Sequence, residues 1–271
     1  MVDGARTFLP ELRERVRRIE RPAATAHGVL PFGVAAIDRA LPGGGLARGA
    51  LHEILGMDGD EEDGALAAAF AATIIGRLAA SPTSPSQSLA RPGEGGLVLW
   101  CLPRLDLYGP GLAAHGLDPE RVVLVRTSRD AEILWAMEEG LRSPGIVAAV
   151  GEVGTLPAVA SRRLQLAAER SGVTAFLLRR WREGGQAARE RALPNAAMTR
   201  WRVAALPSLP SRGEPGVGGP QWRIELLRCR GGEPGCWEME VPDATDHVSL
   251  AAALAARPAA PVAPEKLRLA G

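Results

Sequence analysis

The densest chemistry in the chain is a glycine-spaced stretch that carries a run of carboxylates. Gly56-Met57-Asp58-Gly59-Asp60-Glu61-Glu62-Asp63-Gly64 follows the apolar run Ala50–Leu55 and precedes a helical pattern. A turn of this kind, between strand and helix, is where an α/β protein cradles phosphate. Backbone N–H groups and the positive end of the helix dipole both face the anion there. A loop that binds nucleotide phosphates reads G-x-x-x-x-G-K-[ST], with the lysine on the terminal phosphates and the hydroxyl on Mg2+. This stretch has neither residue. All but one of the 32 basic residues are arginine, and the single lysine is Lys266. Four consecutive carboxylates, Asp60 to Asp63, stand where phosphate oxygens would lie. Like charges in contact repel by about 1 kcal/mol in water and about 4 kcal/mol at an effective dielectric of 20. Gly56, Gly59 and Gly64 therefore read as a degenerate loop, with no nucleotide, cofactor or metal expected on it. A Mg2+ or Ca2+ site in the acidic run is the alternative, and the spacing of a calcium loop is missing. The acids suit a helix N-terminus, where negative charge is favourable.

Other reactive side chains form no constellation. His27, His52, His115 and His247 are scattered, and His52 alternates with apolar neighbours as a structural histidine would. Cys101 sits in an apolar run, while Cys229 and Cys236 lack the second pair that a zinc site needs. No G-x-S-x-G elbow is present. Catalytic residues are expected to be none. Trp100 and Trp135 read as core residues.

The elements around these residues are legible from periodicity. Apolar runs at Ala50–Leu55, Gly96–Leu102, Arg121–Val125, Gly145–Val150 and Val173–Leu178 alternate with helical patterns at Ala65–Ala80, Leu112–His115, Asp130–Leu141 and Pro157–Arg170. Continuous apolar strands separated by helices predict an α/β fold with a mostly parallel sheet covered on both faces. Trp181–Asn195 is polar and reads as a loop. Thr199–Leu206, Gln221–Cys229 and Cys236–Val241 read as an antiparallel extension, with Trp222 and Trp237 in its hairpin. Ser81–Gly96 and Pro207–Pro220 read as Pro/Gly-rich loops. Near the start, Phe8, Leu12, Val16 and Ile19 recur at helical spacing between arginines, giving an amphipathic helix over Phe8–Arg21. A lone helix of about 14 residues is marginal in water, so its stripe is expected to dock on another molecule. The chain divides into an N-terminal helix (1–27), a core (28–206), C-terminal strands (207–247) and an Ala/Pro-rich tail (248–271).

Composition excludes several classes. With 46% hydrophobic and 23% charged residues and a net charge of +1, the chain is globular in character. It has no global basic field of the histone type. No segment is apolar for long enough to span a membrane and no leader pattern opens the chain, so a cytoplasmic location is expected.

The motifs resemble two nested families. A leading helix and the run Leu41-Pro42-Gly43-Gly44-Gly45-Leu46, Gly49, Leu51, Glu53-Ile54, Gly56 are similar to the RecA recombinases. Against that family the strand-end acid is displaced: Ile146–Val150 is followed by Gly151, and Glu152 comes one position late, on the opposite face by strand alternation. The family's catalytic glutamate has no match either, since Leu97–Leu102 runs into Pro103-Arg104 with no carboxylate before Asp106. Leu30-Pro31-Phe32-Gly33, Ile37-Asp38, Leu51-His52-Glu53-Ile54, Leu107–Leu112, Trp135–Arg142 and Arg162–Ala168 resemble the ImuA family over residues 6–242. That resemblance implies a RecA-like core without ATPase activity. It implies an accessory role in SOS-induced, error-prone translesion synthesis beside an ImuB-like adaptor and, through it, a DnaE-type polymerase, at damage sites on the nucleoid. An atypical NTPase and a SulA-like division inhibitor are the other function readings, and self-association is a further partner expectation. By position in a RecA-like fold, the segment Trp181–Asn195 would meet single-stranded DNA. Trp181 could stack on a base, and Arg182, Arg189, Arg191 and Arg200 could pair with phosphates, giving weak binding. Trp222 and Trp237 are expected, with Phe8, Leu12, Val16 and Ile19, at protein contacts.

Overall fold

Strands that are aliphatic at every position have no face to turn to water, so they must be covered on both sides. The computed structural model describes residues 26–57, 60–80, 96–181, 185–208 and 219–241. The helix expected over Phe8–Arg21, most of the loops Ser81–Gly96 and Pro207–Pro220, and the tail from Val248 lie outside the described residues. Gly59 and Arg182 do also.

The described chain opens with β1 (Val29–Leu30) and β2 (Leu46–Ala47), a short antiparallel pair. Between them lie α1 (Ala35–Ala40) and a 3-10 turn at Pro42–Gly44. The Asp38 carboxylate accepts the backbone N–H groups of Phe32 and Gly33, at 2.6 and 3.1 Å, which closes this lead-in. The main elements follow as β3 (Leu51–Gly56), α2 (Asp60–Ala80), β4 (Leu97–Leu102), α3 (Gly109–Ala114), β5 (Val122–Arg126), α4 (Asp130–Arg142), β6 (Ile146–Val153), α5 (Ala158–Ser171) and β7 (Thr174–Arg179). After them come α6 (Gln186–Ala192), β8 (Thr199–Leu206), β9 (Gln221–Cys229) and β10 (Gly235–Glu240).

Eight strands form one sheet in the order β10-β9-β8-β3-β7-β6-β4-β5. The pairs from β8 through β5 are parallel, and β9 and β10 add an antiparallel hairpin. The α/β expectation holds, with one correction: Thr199–Leu206 is parallel to β3 rather than part of the antiparallel extension. It fills the open side of β3, and the chain reverses only afterwards.

Helix α2 covers one face. Its Gly76 lets the turn after α3 lie close against it: a Cβ there would stand 2.4 Å from the Gly116 carbonyl oxygen. Phe70 of this helix packs among Phe32, Trp201 and Trp222, and Trp237 packs against Trp201. Helices α4 and α5 cover the other face through Ile133, Met137, Leu141, Leu164 and Ala168. Trp222 and Trp237 are therefore largely buried residues of the hairpin. Trp135 is the converse correction: it is 62% exposed on α4.

Two boundaries differ from expectation. Helix α2 starts at Asp60 instead of Ala65, so the acidic run forms its first turn, where the helix dipole favours carboxylates. The segment expected as a loop, Trp181–Asn195, contains α6. Its residues Gln186-Ala187-Ala188-Arg189-Glu190-Arg191-Ala192 are good helix formers, but none is buried, so no apolar period marks them.

His52 lies fully inside this core. The Trp201 indole N–H donates to Thr199 Oγ1 at 2.7 Å, and Thr199 Oγ1 lies 2.7 Å from His52 Nδ1. His52 Nε2 lies 2.8 Å from the Ala47 carbonyl, which can only accept, so Nε2 carries the proton. Burial pushes the imidazole down to about 4, against the opposing pull of the Ala47 bond. An unfolded histidine titrates near 6.5. Between those two values the unfolded chain alone takes up the proton, so stability should fall as pH drops through the window. The total loss should be about 3 kcal/mol. Urea unfolding at pH 7 and pH 4.5 captures about 2.4 kcal/mol of it, and His52→Gln should remove that part of the slope. A slope identical in both proteins would refute the assignment.

Candidate functional site

In an open parallel sheet, ligands bind outside the carboxyl ends of the strands, where the strand order reverses. Here the chain leaves β4 for the outer strand β5, but leaves β6 inward for β7. The reversal lies between β4 and β6, and the side chains at that point are charged.

Strand β6 runs past Val150 to Val153, which corrects the strand end, while Glu152 turns to the face opposite Gly151 as strand alternation expects. Gly151 faces α4, where an added Cβ would stand 2.2 Å from the Met137 sulfur. Glu152 shares the other side with Trp100 and is 1% exposed. Its Oε1 accepts the Trp100 indole N–H at 2.8 Å, and its Oε2 accepts Arg180 Nη1 at 2.9 Å. Arg180 Nη2 donates to Asp106 Oδ2 at 2.9 Å, and Arg104 Nε lies 3.6 Å from that oxygen. One guanidinium thus bridges two carboxylates. It lines a groove of about 610 Å3 whose walls include Leu107, Tyr108, Leu112, His115 and Trp222.

The other side of the strand ends carries a second cluster. Glu53, 2% exposed on β3, accepts Arg200 Nε at 2.6 Å and the Asn195 amide at 2.7 Å, both on Oε2. Arg179 Nε lies 3.6 Å from its other oxygen. Arg179 Nη2 also donates to Glu190 Oε2 at 2.6 Å and to the Gly154 carbonyl at 2.9 Å. Helix α6 is drawn onto the strand ends by these bonds. From it Arg191 donates to the carbonyls of Gly56, at 3.2 Å, and Met57, the residues that open the acidic loop. Arg228 completes the group through Asn195 Oδ1 at 2.7 Å.

These contacts relocate the residues expected to meet DNA. Trp181 is 6% exposed, its indole N–H donates to the Gly154 carbonyl at 3.0 Å, and the guanidinium carbons of Arg179 and Arg191 stand 5.4 and 5.1 Å from its ring centre. In this arrangement the ring is closed to a base. Arg191 and Arg200 face inward, since Arg200 also donates to the Arg191 carbonyl. Arg189 is exposed. Gly56 ends β3 and Gly64 lies within α2. Cys101 is buried, and burial pushes its thiol up to about 12, which removes thiolate chemistry. Among the described residues, no three His, Cys, Asp or Glu side chains are arranged to hold a metal, and no helix is long and apolar enough to cross a membrane.

Sequence reading missed both clusters. A signal for them exists: Arg179-Arg180 closes an apolar strand, and strand alternation sends two adjacent side chains to opposite faces. The carboxylates that receive them, Glu53 and Glu152, interrupt otherwise apolar strands.

Removing one partner of a buried ion pair destabilises by about 3–5 kcal/mol, because the other charge stays behind. Arg180→Ala should show a loss of that size in urea unfolding. Adding Glu152→Gln should recover much of it, because a neutral amide still accepts the Trp100 N–H. A double variant no more stable than the single one would show that the stranded charge is not the cause.

No protein-family model matches the chain. Two curated relatives do, both Protein ImuA, from two strains of Caulobacter vibrioides. Each is 39% identical over 228 residues, covering 83% of this chain and 88% of the relative. With that identity, over nearly the whole length of each relative, the chain belongs to the ImuA family.

Proposed function

We propose that this chain is a non-catalytic accessory protein of SOS-induced, error-prone DNA synthesis. It works beside an ImuB-like adaptor and, through that adaptor, a DnaE-type polymerase. The observation that carries the non-catalytic part is the occupancy of the strand-end crevice by the chain's own arginines. An ATPase of this architecture needs a lysine on the phosphates and acids free to hold Mg2+ and water. The loop Gly56–Gly64 has no lysine. Glu152 and Asp106 are joined by Arg180, so a cation approaching them meets a guanidinium already in place. Arg191 sits on the carbonyls of Gly56 and Met57. The similarity to Protein ImuA supports the setting in damage-induced mutagenesis.

Weak single-stranded DNA binding through the segment after β7 is part of the proposal. With Trp181, Arg191 and Arg200 turned inward, Arg189 is the exposed candidate among the described residues, and Arg182, which lies outside them, is kept as the second. Each phosphate contact on a single strand adds roughly 0.7 to the salt slope. Arg182→Ala with Arg189→Ala should therefore lower the slope by about 1.4 and leave the fold intact. An unchanged slope across a salt series would remove this segment as the DNA site.

The central test is calorimetric. Titration of Mg-ATP into the protein should give no saturable heat at micromolar concentrations, and a micromolar isotherm would overturn the non-catalytic reading. Co-purification should retain an ImuB-like protein and not a tubulin-like division GTPase. The opposite result would favour the division-inhibitor reading.

A further inference from the structure

The groove that Arg180 lines is walled by the start of α2, by the loop after β4 with α3, and by the margin of the hairpin. The charged groups on its walls, Arg104, Asp106 and Arg180, are joined to one another. What it offers a ligand is therefore mainly apolar surface, from Leu66, Leu107 and Trp222. Ala65 and Ala69 face it from α2, so little side chain stands between that helix and an approaching backbone. Strand β10 runs in the same direction as β3, because β9 is antiparallel to both β8 and β10 and β8 is parallel to β3. Its end thus lies at the carboxyl side of the sheet, where the groove is. Val241, the last described residue, is itself part of the groove wall, and its N–H donates to the Pro220 carbonyl at 2.9 Å. The chain continues from that point for thirty residues.

The longest run without proline or glycine in those residues lies between Pro242 and Pro258. Its second half, Leu250-Ala251-Ala252-Ala253-Leu254-Ala255-Ala256-Arg257, consists of the strongest helix formers. Thr245 and Asp246 are of the types that cap a helix start, and an arginine followed by proline suits a helix end. On a helix Leu250 and Leu254 share one side, with Ala251 and Ala255 next to them. We propose that this segment, Asp246–Arg257, docks in the groove of its own chain, with Leu250 and Leu254 turned toward Leu66, Leu107 and Trp222. Its alanines match the small residues of α2 across the contact. A free helix of this length is marginal in water, and two leucines make a weak ligand. The tether changes that balance. A connection of a few residues from Val241 holds the segment at an effective concentration on the order of millimolar. An affinity of about 0.1 mM, too weak to hold a separate molecule at micromolar concentration, then keeps it docked about nine-tenths of the time. Any other molecule that uses the groove must displace it. This inference stands apart from the functional reading above.

Hydrogen exchange of the full chain, read by mass spectrometry, tests the contact. Amides of Leu250–Arg257 should exchange roughly tenfold slower than in an unstructured chain, equally at about 1 and about 50 micromolar protein. Leu250→Asp with Leu254→Asp should remove that protection, because carboxylates do not settle on apolar walls. Ala65→Arg should remove it from the other side, by filling the groove at an exposed position of α2 and leaving the segment unaltered. In both variants the peptide covering Leu107–His115 should exchange faster, while those of β6 and β7 should match the parent and report an intact fold. Exchange of Leu250–Arg257 at the unstructured rate in the parent overturns the proposal. So does protection that survives Ala65→Arg, which would place the segment elsewhere. Protection that grows with protein concentration would assign the groove to a second copy and overturns it as well.

Discussion

Glu53 and Glu152 are carboxylates held out of water at the carboxyl end of a sheet that is apolar through its middle. A charge in that position is tolerable only with a cation and further hydrogen bonds within reach. Arginine meets the requirement better than lysine. Its planar fork of donors reaches several acceptors at once and keeps its charge when buried. Arg180 holds Glu152 and Asp106 together, and Arg200 and Arg179 flank Glu53. Much of the local architecture follows from that neutralisation. Helix α6 has no buried side chain, and it is seated by Glu190 and Arg191. The loop after β4 is tied to β7 through Asp106.

The same need for neutrality appears in milder form on the hairpin. The face of β8–β10 away from α2 carries Arg202 paired with Glu225 and Arg223 paired with Glu238, across neighbouring strands. Partly exposed pairs of this kind contribute little each. They fix the register of the hairpin while its other face buries Trp201, Trp222 and Trp237. The hairpin is thus amphipathic in the way an antiparallel pair at the margin of a core should be.

The geometry joins these themes. A crevice at the reversal of strand order is the place where an open α/β sheet offers itself to a ligand. In this chain the side chains lining it on one side neutralise one another, and on the other side α6 lies across the end of β3. What the molecule leaves outward is apolar surface elsewhere, at β5 and at Trp135 on α4. Under the reading proposed above, that is the distribution suited to a protein that works through contact.

The sequence by itself determined the layer plan. Aliphatic runs of five or six residues spaced by helical periods allow one arrangement, because a run without polar alternation must be covered twice. The broken phosphate loop was equally legible, since the absent lysine and hydroxyl are matters of identity at fixed spacing. The structural place of His52 could be read from its apolar neighbours. Tertiary structure alone decided which way the charged residues turned. Trp181, Arg191 and Arg200 look like an open basic segment in one dimension. They face inward because Glu53, Gly56 and Gly154, from distant parts of the chain, receive them. Glu152 looked to lie beyond the strand because the apolar run stops at Val150, and only its pairing with β7 carries the strand to Val153. Periodicity reports burial of apolar groups. It carries no record of which buried charge will meet which, because those partners lie up to 147 residues apart and meet only when the sheet is assembled.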